Sequence, residues 1–129
     1  MPGSFLLDTN AVIAVFAGDP LLQSVLVAAA KIATPTIALG ELYYGANKSS
    51  RRQANVSRID QFAAANDVLD VDPATAREYG AIKEQLRSKG RPLPENDIWI
   101  AAIAIQHGLT LVTRDAHFGD IAGLTLTSW

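Results

Sequence analysis

The sequence predicts an α/β protein with a central, mainly parallel β-sheet. Short runs of apolar and β-branched residues alternate with stretches whose apolar residues recur at helical spacing, as in parallel sheets covered by helices. Two of the runs give way to an aspartate where their apolar character ends: SFLLDTN at residues 4–10 and LTLVTRD at residues 109–115. The chain has 129 residues, 49% of them hydrophobic, which suits one domain spanning residues 1–129.

The first half of the chain contains two predicted strands and four predicted helices. The first four of these elements, in chain order, are a strand at residues 4–7, a helix from Asn10 to Phe16, a helix from about Pro20 to Lys31 and a strand from Ile32 to Thr34. Thr36 has the residue type of a helix N-cap, and Gly45 has that of a helix end. The fourth helix carries an apolar face made of Val56, Ile59, Phe62 and Ala63.

The second half continues the alternation. DVLDVD at residues 67–72 is a predicted strand, and Asp72 followed by Pro73 is a typical helix start. That helix buries Tyr79, Ile82 and Leu86, and the segment SKGRPLPEND at residues 88–97 is a predicted loop. The remaining elements are a helix with Ile98, Ala101, Ala102 and Ile105 on one face, its end at Gly108, and strands at Thr110 to Thr113 and Leu124 to Thr127.

Two aspartates follow predicted strands directly. Asp8 and Asp115 each lie just past a strand's carboxyl end, where parallel sheets bind their ligands. If both strands belong to one parallel sheet, the two side chains emerge at the same edge. Either aspartate could instead simply cap the helix or turn that follows it.

Two further acids lie on predicted helices. Glu41 interrupts the apolar segment TIALGELYYG, and no lysine or arginine occurs three or four residues from it. A buried charge without a partner is costly, so a glutamate there calls for a partner, a shifted pKa or a metal. Asp97 lies in the first turn of a helix that carries little other charge, where the helix dipole alone would also favour an acid.

Several carboxylates in one cleft repel each other unless a strongly positive group joins them. Oxygen ligands in a chain without cysteine favour a hard cation such as Mg²⁺ or Mn²⁺, and such ions support phosphodiester hydrolysis. Thr9 and Thr113 each neighbour an acid and could orient a carboxylate by hydrogen bonding, or be ordinary turn residues. His117 follows Asp115 by two residues and could approach the same site, but its position alone assigns it no role.

Basic residues occur in two groups near the predicted site. One group consists of Lys48, Arg51 and Arg52, and the other of Arg87, Lys89 and Arg91. Contact with RNA phosphates is a reasonable hypothesis for both groups. Each residue could equally belong to a solvated helix end or loop, which is the commoner role of a surface charge.

Composition excludes several kinds of function. The absence of cysteine excludes disulfides, thiolate metal sites and cysteine nucleophiles. The formal net charge of −2 provides no general positive field for nucleic acid, so RNA contacts require locally grouped cations. No apolar run reaches the roughly 18–20 residues that span a bilayer, and the start lacks the basic region of a signal peptide. We therefore expect a cytoplasmic protein that does not bind membranes.

Several motifs together resemble one family. LLDTN, GELYYGANKSSRR, NDIWIAAIAIQHGLTLVTRD and the following HF are similar, in order and spacing, to the PIN-domain ribonucleases, above all to the toxins of VapBC toxin–antitoxin pairs. The similarity covers essentially the whole chain, including Trp129. It implies a three-layer α/β/α fold with a central parallel sheet. It also implies an acidic catalytic site made of Asp8, Glu41, Asp97 and Asp115, with Asp8, Asp97 and Asp115 as the metal ligands.

The resemblance also implies an activity and partners. Members of the family are usually Mg²⁺- or Mn²⁺-dependent endoribonucleases that form homodimers and cut transfer RNA or other structured RNA. A cognate antitoxin inhibits them by laying its C-terminal segment over the active-site groove, where it often offers an arginine to the carboxylates. Such pairing is physically sensible, since guanidinium binds carboxylates bidentately.

Two other functions remain as alternatives. One is a non-catalytic RNA-binding or assembly module on the same fold, in which the acids merely cap helices, although capping does not require Glu41 in mid-helix. The other is a phosphoryl-transfer domain. LLDTN lacks the second aspartate of haloacid-dehalogenase-like phosphatases, two positions after Asp8, and LVTRD lacks the strand-end lysine of response-regulator receivers.

Overall fold

The computed structural model describes residues 3–129, which form a five-stranded parallel sheet covered by helices. The strands are β1 (Ser4–Leu7), β2 (Lys31–Pro35), β3 (Asp67–Leu69), β4 (Thr110–Val112) and β5 (Leu126–Thr127). Their order in the sheet is β3-β2-β1-β4-β5, and every neighbouring pair is parallel. The predicted parallel sheet is therefore confirmed, with β1 at its centre.

Six helices form the outer layers. They are α1 (Thr9–Phe16), α2 (Pro20–Leu26), α3 (Thr36–Asn47), α4 (Arg52–Ala65), α5 (Pro73–Lys89) and α6 (Glu95–Gln106). Alternate residues of β1 point to opposite faces of the sheet. Leu6 packs with α5 and α6, whereas Leu7 packs with α1, α3 and α4. This alternation produces two apolar cores, one on each face, and confirms the three-layer α/β/α architecture.

The segment between α2 and β2 differs from the prediction of a helix up to Lys31. α2 ends at Leu26, and Lys31 is the first residue of β2, where it pairs with Ser4. Val27 is 84% exposed, so a longer helix would bury no more apolar surface there. The amide of Ala30 instead donates to the Gly3 carbonyl at 2.8 Å, which leads the chain into the sheet.

Both predicted ends of α3 were wrong. Thr36 is the first helical residue and not the cap, because its hydroxyl donates to the Leu69 carbonyl and to Asp70 at 3.1 and 2.6 Å. Gly45 does not end the helix, which continues to Asn47. Burial of Ala46 on the next turn stabilises the helical conformation beyond the glycine.

The remaining differences concern element length. α5 continues through Lys89 and ends at Gly90, whose φ of 66° is the left-handed conformation of a helix end, and α6 begins at Glu95. The predicted loop therefore shrinks to residues 90–94, while Asp97 stays in the first turn of α6. β3, β4 and β5 are shorter than predicted, and a 3₁₀ turn at Ala116–Asp120 was not predicted.

Within residues 3–129 no single helix is long and apolar enough to cross a membrane. By length and composition alone α1 and α2 pass that test as a pair, but they are bent by 112° at the break between them.

Candidate active site

Asp8 lies where β1 ends and α1 begins, and it is 6% exposed. Its Oδ1 accepts a hydrogen bond from the Ala11 amide at 2.8 Å, so the side chain caps α1. Burial raises the pKa of Asp8, and the charges of Asp115 and Glu41 add to the rise, against hydrogen bonds from Thr113 and Ala11 that lower it. Asp8 thus caps a helix and also interacts with other carboxylates.

Glu41 is half-buried in α3, and its partner comes from a different helix. The hydroxyl of Thr9, the first residue of α1, donates to Glu41 Oε1 at 2.7 Å. The sequence identified Thr9 only as a neighbour of Asp8. The structure connects it to Glu41, 32 residues away, and so fixes the glutamate side chain next to the start of α1.

Asp97 lies in the first turn of α6 and has the most strongly raised pKa of the four acids. Burial raises the pKa of Asp97 to about 6, and the negative charges of Glu41, Asp115 and Asp8 add to the rise. Each of those charges must be close enough for its field to reach Asp97. The four acids that the sequence selected therefore share one electrostatic environment.

Asp115 lies shortly after the end of β4, and Thr113 lies between them. Thr113 is 4% exposed, and its hydroxyl accepts a hydrogen bond from the Asp115 amide at 3.0 Å. Asp115 Oδ1 accepts two hydrogen-bonding contacts from His117, one from the backbone amide at 2.9 Å and one at Nδ1 at 2.8 Å. The hydrogen bond from the His117 backbone amide is the main reason that the pKa of Asp115 is lowered. His117, which the sequence left without a role, thus occupies one oxygen of Asp115.

Strand register explains why these groups meet. Leu7 of β1 pairs with Val112 of β4, and the Asp8 amide donates to the Val112 carbonyl at 3.3 Å. Asp8 and Thr113 therefore follow two adjacent parallel strands at the same edge of the sheet. Among residues 3–129, however, no three Asp, Glu or His side chains lie close enough together to form a metal site as they stand.

The two predicted basic groups are exposed, and four of their six side chains contact groups other than the acids. In the first group, Lys48 lies 4.7 Å from the centre of the Tyr44 ring, and Arg52 donates to the Asn47 carbonyl at 3.2 Å, while Arg51 precedes α4. In the second group, Arg87 pairs with Glu84, Lys89 donates to the Asp120 carbonyl at 2.9 Å, and Arg91 lies in the loop after α5. None of these contacts joins either group to the acids.

Arg58 is a cation near the acids that the sequence analysis missed. It lies with Thr9 and Glu41 along one groove of the surface, between α1, α3 and α4. On α4, Arg58 is exposed and lies four residues before Phe62, at the border of the face that carries Ile59 and Phe62. A charge bordering the apolar face of a helix was therefore the signal that could have identified it.

The profile of the PIN domain family matches residues 5–124 of the chain. Among curated proteins, Ribonuclease VapC2 of Haemophilus influenzae is 38% identical over 97% of both chains. The tRNA(fMet)-specific endonuclease VapC of Shigella flexneri is 34% identical, again over 97% of both.

Solved structures show the same similarity. VapBC2 from Rickettsia felis, bound to a DNA fragment from its promoter, matches with a TM-score of 0.89 and 32% identity, over 97% of this chain and 98% of that one. DNA-bound VapBC from Salmonella typhimurium matches with a TM-score of 0.89 and 30% identity, over 98% of both chains.

Proposed function

Since this chain belongs to the PIN domain family, we propose that it is the endoribonuclease toxin of a type II toxin–antitoxin pair and hydrolyses RNA phosphodiester bonds at its four-acid site. The observation that carries the proposal is the environment of Asp97. Burial and three neighbouring carboxylates raise its pKa to about 6. Helix capping does not require such a cluster, whereas binding of a divalent cation stabilises it.

We propose Mg²⁺ as the natural cation, with Mn²⁺ able to replace it, and Asp8, Asp97 and Asp115 as its ligands. The donor set fits, because it is made of oxygen atoms, and burial and mutual repulsion disfavour the charged forms of Asp8 and Asp97 when no cation is bound. When bound, the cation would supply a Lewis acid that activates water and stabilises the leaving oxygen. Since the acids do not yet converge, binding has to draw them closer.

The protein's own groups have separate tasks in this proposal. Glu41, held by the Thr9 hydroxyl, is placed to accept a proton from the attacking water. Thr113 restrains both sides of the site, because its hydroxyl accepts the Asp115 amide and its side chain hydrogen-bonds Asp8. We also propose that six exposed cations contact RNA phosphates: Lys48, Arg51, Arg52, Arg87, Lys89 and Arg91.

A cognate antitoxin is the proposed protein partner. Support comes from the structural neighbours, which are toxin–antitoxin complexes. An antitoxin segment that covers the acids would block RNA and could satisfy the carboxylates with an arginine. We further propose that the protein forms a homodimer and acts in the cytoplasm on transfer RNA or another structured RNA. Sedimentation of the purified protein tests the dimer.

The activity is tested with purified, antitoxin-free protein and total RNA, in parallel reactions containing Mg²⁺, Mn²⁺ or EDTA. We expect discrete fragments that require the metal and disappear in Asp8→Asn. Asp67→Asn is the matched control, because Asp67 is an exposed aspartate at the start of β3, at the opposite edge of the sheet. Sequencing the fragment ends identifies the RNA target.

A folded protein that binds RNA but cleaves nothing with either metal would support the non-catalytic module instead. A Mn²⁺ titration of the same preparation separates the two functions. The nuclease binds Mn²⁺ and loses that binding in Asp8→Asn, whereas acids that only cap helices bind none.

A further inference from the structure

The groove that contains Arg58 begins at the acids. It encloses about 270 Å³ between α1, α3 and α4, and its walls include Thr9, Ile13, Phe16, Glu41, Asn55 and Arg58. Thr9 and Glu41 are the hydrogen-bonded pair of the candidate active site. Whatever occupies the groove therefore lies directly beside the proposed place of phosphodiester cleavage.

The groove combines flat apolar surfaces with one cation. The guanidinium carbon of Arg58 lies 4.6 Å from the centre of the Phe16 ring, and the guanidinium also donates to the Phe16 carbonyl. These two contacts hold a planar cation against an aromatic ring. Among the described residues that line the groove, Arg58 alone carries a positive charge, and Glu41 alone carries a carboxylate.

We propose that this groove is a subsite for an unpaired nucleobase of the RNA, the one next to the cleaved bond, and that Arg58 is its cationic wall. The inference rests on the proposed nuclease function and adds to it a place where the substrate is gripped. Sequence-specific recognition of RNA works mainly on unpaired bases, which stack on aromatic rings or on guanidinium planes. Arg58 lies over the Phe16 ring and is exposed, so a base can stack on a guanidinium plane that the ring supports from behind.

Size agrees with this occupant. A volume of about 270 Å³ lies near the lower end of the roughly 300–1,000 Å³ found for small-molecule sites, which suits a single planar base. Gly45 helps to keep the space open, because it lines the groove and a Cβ atom built on it meets nothing within 4 Å. A larger residue there would project into the space that the base needs.

Charge favours RNA over a purely apolar peptide side chain. A nucleotide brings its base into the apolar part of the groove and its phosphate close to Arg58, which offsets the repulsion from the acids. An apolar side chain would contact only the apolar part of the groove and would gain nothing from the positive charge of Arg58.

Two glycines of α3 provide a matched test. Gly45→Leu fills the groove, whereas Gly40→Leu places the same side chain at an exposed position of the same helix. The substrate is a short single-stranded RNA spanning the cleavage site mapped in total RNA, together with copies that carry an abasic nucleotide on one or the other side of the cleaved bond. Arg58→Gln, with Arg77→Gln in α5 as its control, provides a second pair at exposed side chains.

Loss of one base–aromatic stack weakens binding by about tenfold or more. We therefore expect Gly45→Leu and Arg58→Gln each to raise KM for the intact RNA about tenfold, and Gly40→Leu and Arg77→Gln to leave it nearly unchanged. One of the two abasic RNAs should show the same rise in KM with the unmodified protein, and Gly45→Leu should add nothing further to it.

Three results would overturn the inference. The first is an equal KM for the intact and both abasic RNAs, and the second is a KM for Gly45→Leu no different from that of Gly40→Leu. The third is a loss of antitoxin affinity in Gly45→Leu with an unchanged KM for RNA, which assigns the groove to a protein. If the unmodified protein cleaves no RNA, the proposed function fails and the inference with it, whereas cleavage with an unchanged KM contradicts the inference alone.

Discussion

The environment of Asp97 links stability to function. Partial burial, and beside it three neighbouring carboxylates, keep its pKa at about 6, about two above the usual value for an aspartate. In an unfolded chain the same group ionises near pH 4. At neutral pH the native state therefore carries a charge that it disfavours, and the acid site lowers the stability of the metal-free protein.

We predict that Asp97→Asn stabilises the metal-free protein at pH 7 while abolishing cleavage. Between about pH 4 and pH 6 only the native state holds the proton, so the stability of the unmodified protein falls as pH rises and reaches its full loss above pH 6. Since much of the side chain is solvated, we expect a gain of about 1 kcal/mol at most for Asp97→Asn at pH 7.

Urea denaturation in EDTA at pH 4, 5, 6 and 7 measures this effect. The free energies of unfolding of the two proteins should agree near pH 4 and separate as pH rises, in favour of the variant. Equal stability at pH 7 would contradict the proximity of the four charges.

Three of the four candidate acids stand out in the sequence because each one breaks a local pattern. Asp8 and Asp115 end apolar strands, and Glu41 interrupts an apolar helix face. The contacts that organise them were not predictable, since they join distant segments. The Thr9 hydroxyl donates a hydrogen bond to Glu41, which is 32 residues away in the sequence. The position of Arg58 beside this pair depends on how α4 packs on α3.

At the scale of elements, a glycine inside a helix and a glycine just after a helix end have opposite effects on stability. Gly40 and Gly45 lie inside α3, where glycine costs stability because its backbone loses more freedom than that of other residues. Gly90 follows α5 with a φ of 66°, which other residues adopt only with strain. Residue type alone suggested that Gly45 ends a helix. The helix continues to Asn47 because Ala46, on the turn beyond the glycine, is buried.

We predict a change of opposite sign for the same substitution at two of these positions. Gly40→Ala should stabilise the protein by about 0.5–1 kcal/mol, because a Cβ atom there meets nothing within 4 Å. Gly90→Ala should destabilise it by about 1 kcal/mol, because alanine disfavours the left-handed backbone. Thermal unfolding of both variants beside the unmodified protein measures the difference, and shifts in the same direction would contradict the backbone assignments.

Helix and strand positions were predicted well wherever burial has a clear period. α5 and α6 were recognised from their apolar stripes and from Asp72, which caps α5. Boundaries failed where tertiary contacts decide them. α2 stops at Leu26 because Lys31 pairs with β1, and no local feature of the segment between them indicates that pairing.

At the scale of the whole molecule, the order of the strands brings the two ends of the sequence together. β1 lies between β2 and β4, so the site combines the first strand with one that begins at Thr110. The parallel sheet and its binding edge followed from the alternation of strands and helices. The order of the strands did not, since the sequence alone does not tell which strands are neighbours.

We predict that Mn²⁺ stabilises the folded protein against heat. A cation that binds only the assembled acids stabilises the native state by about 2.7 kcal/mol when its concentration is 100 times Kd. The melting temperature should therefore rise with Mn²⁺ concentration, and Asp8→Asn should remove that rise while Asp67→Asn retains it. A rise of equal size in Asp8→Asn would show that the ion binds elsewhere.

Strand order also has a consequence for synthesis on the ribosome. Asp8 is translated before its neighbours at the sheet edge, which follow β4 more than a hundred residues later. Contacts this distant along the chain form late in folding. A chain that is still growing or stalled before β4 therefore holds no complete set of acids, and we expect it to cleave no RNA until β4 and the residues after it have been translated. We expect chains stopped before residue 110 to cleave no RNA in a cell-free translation reaction.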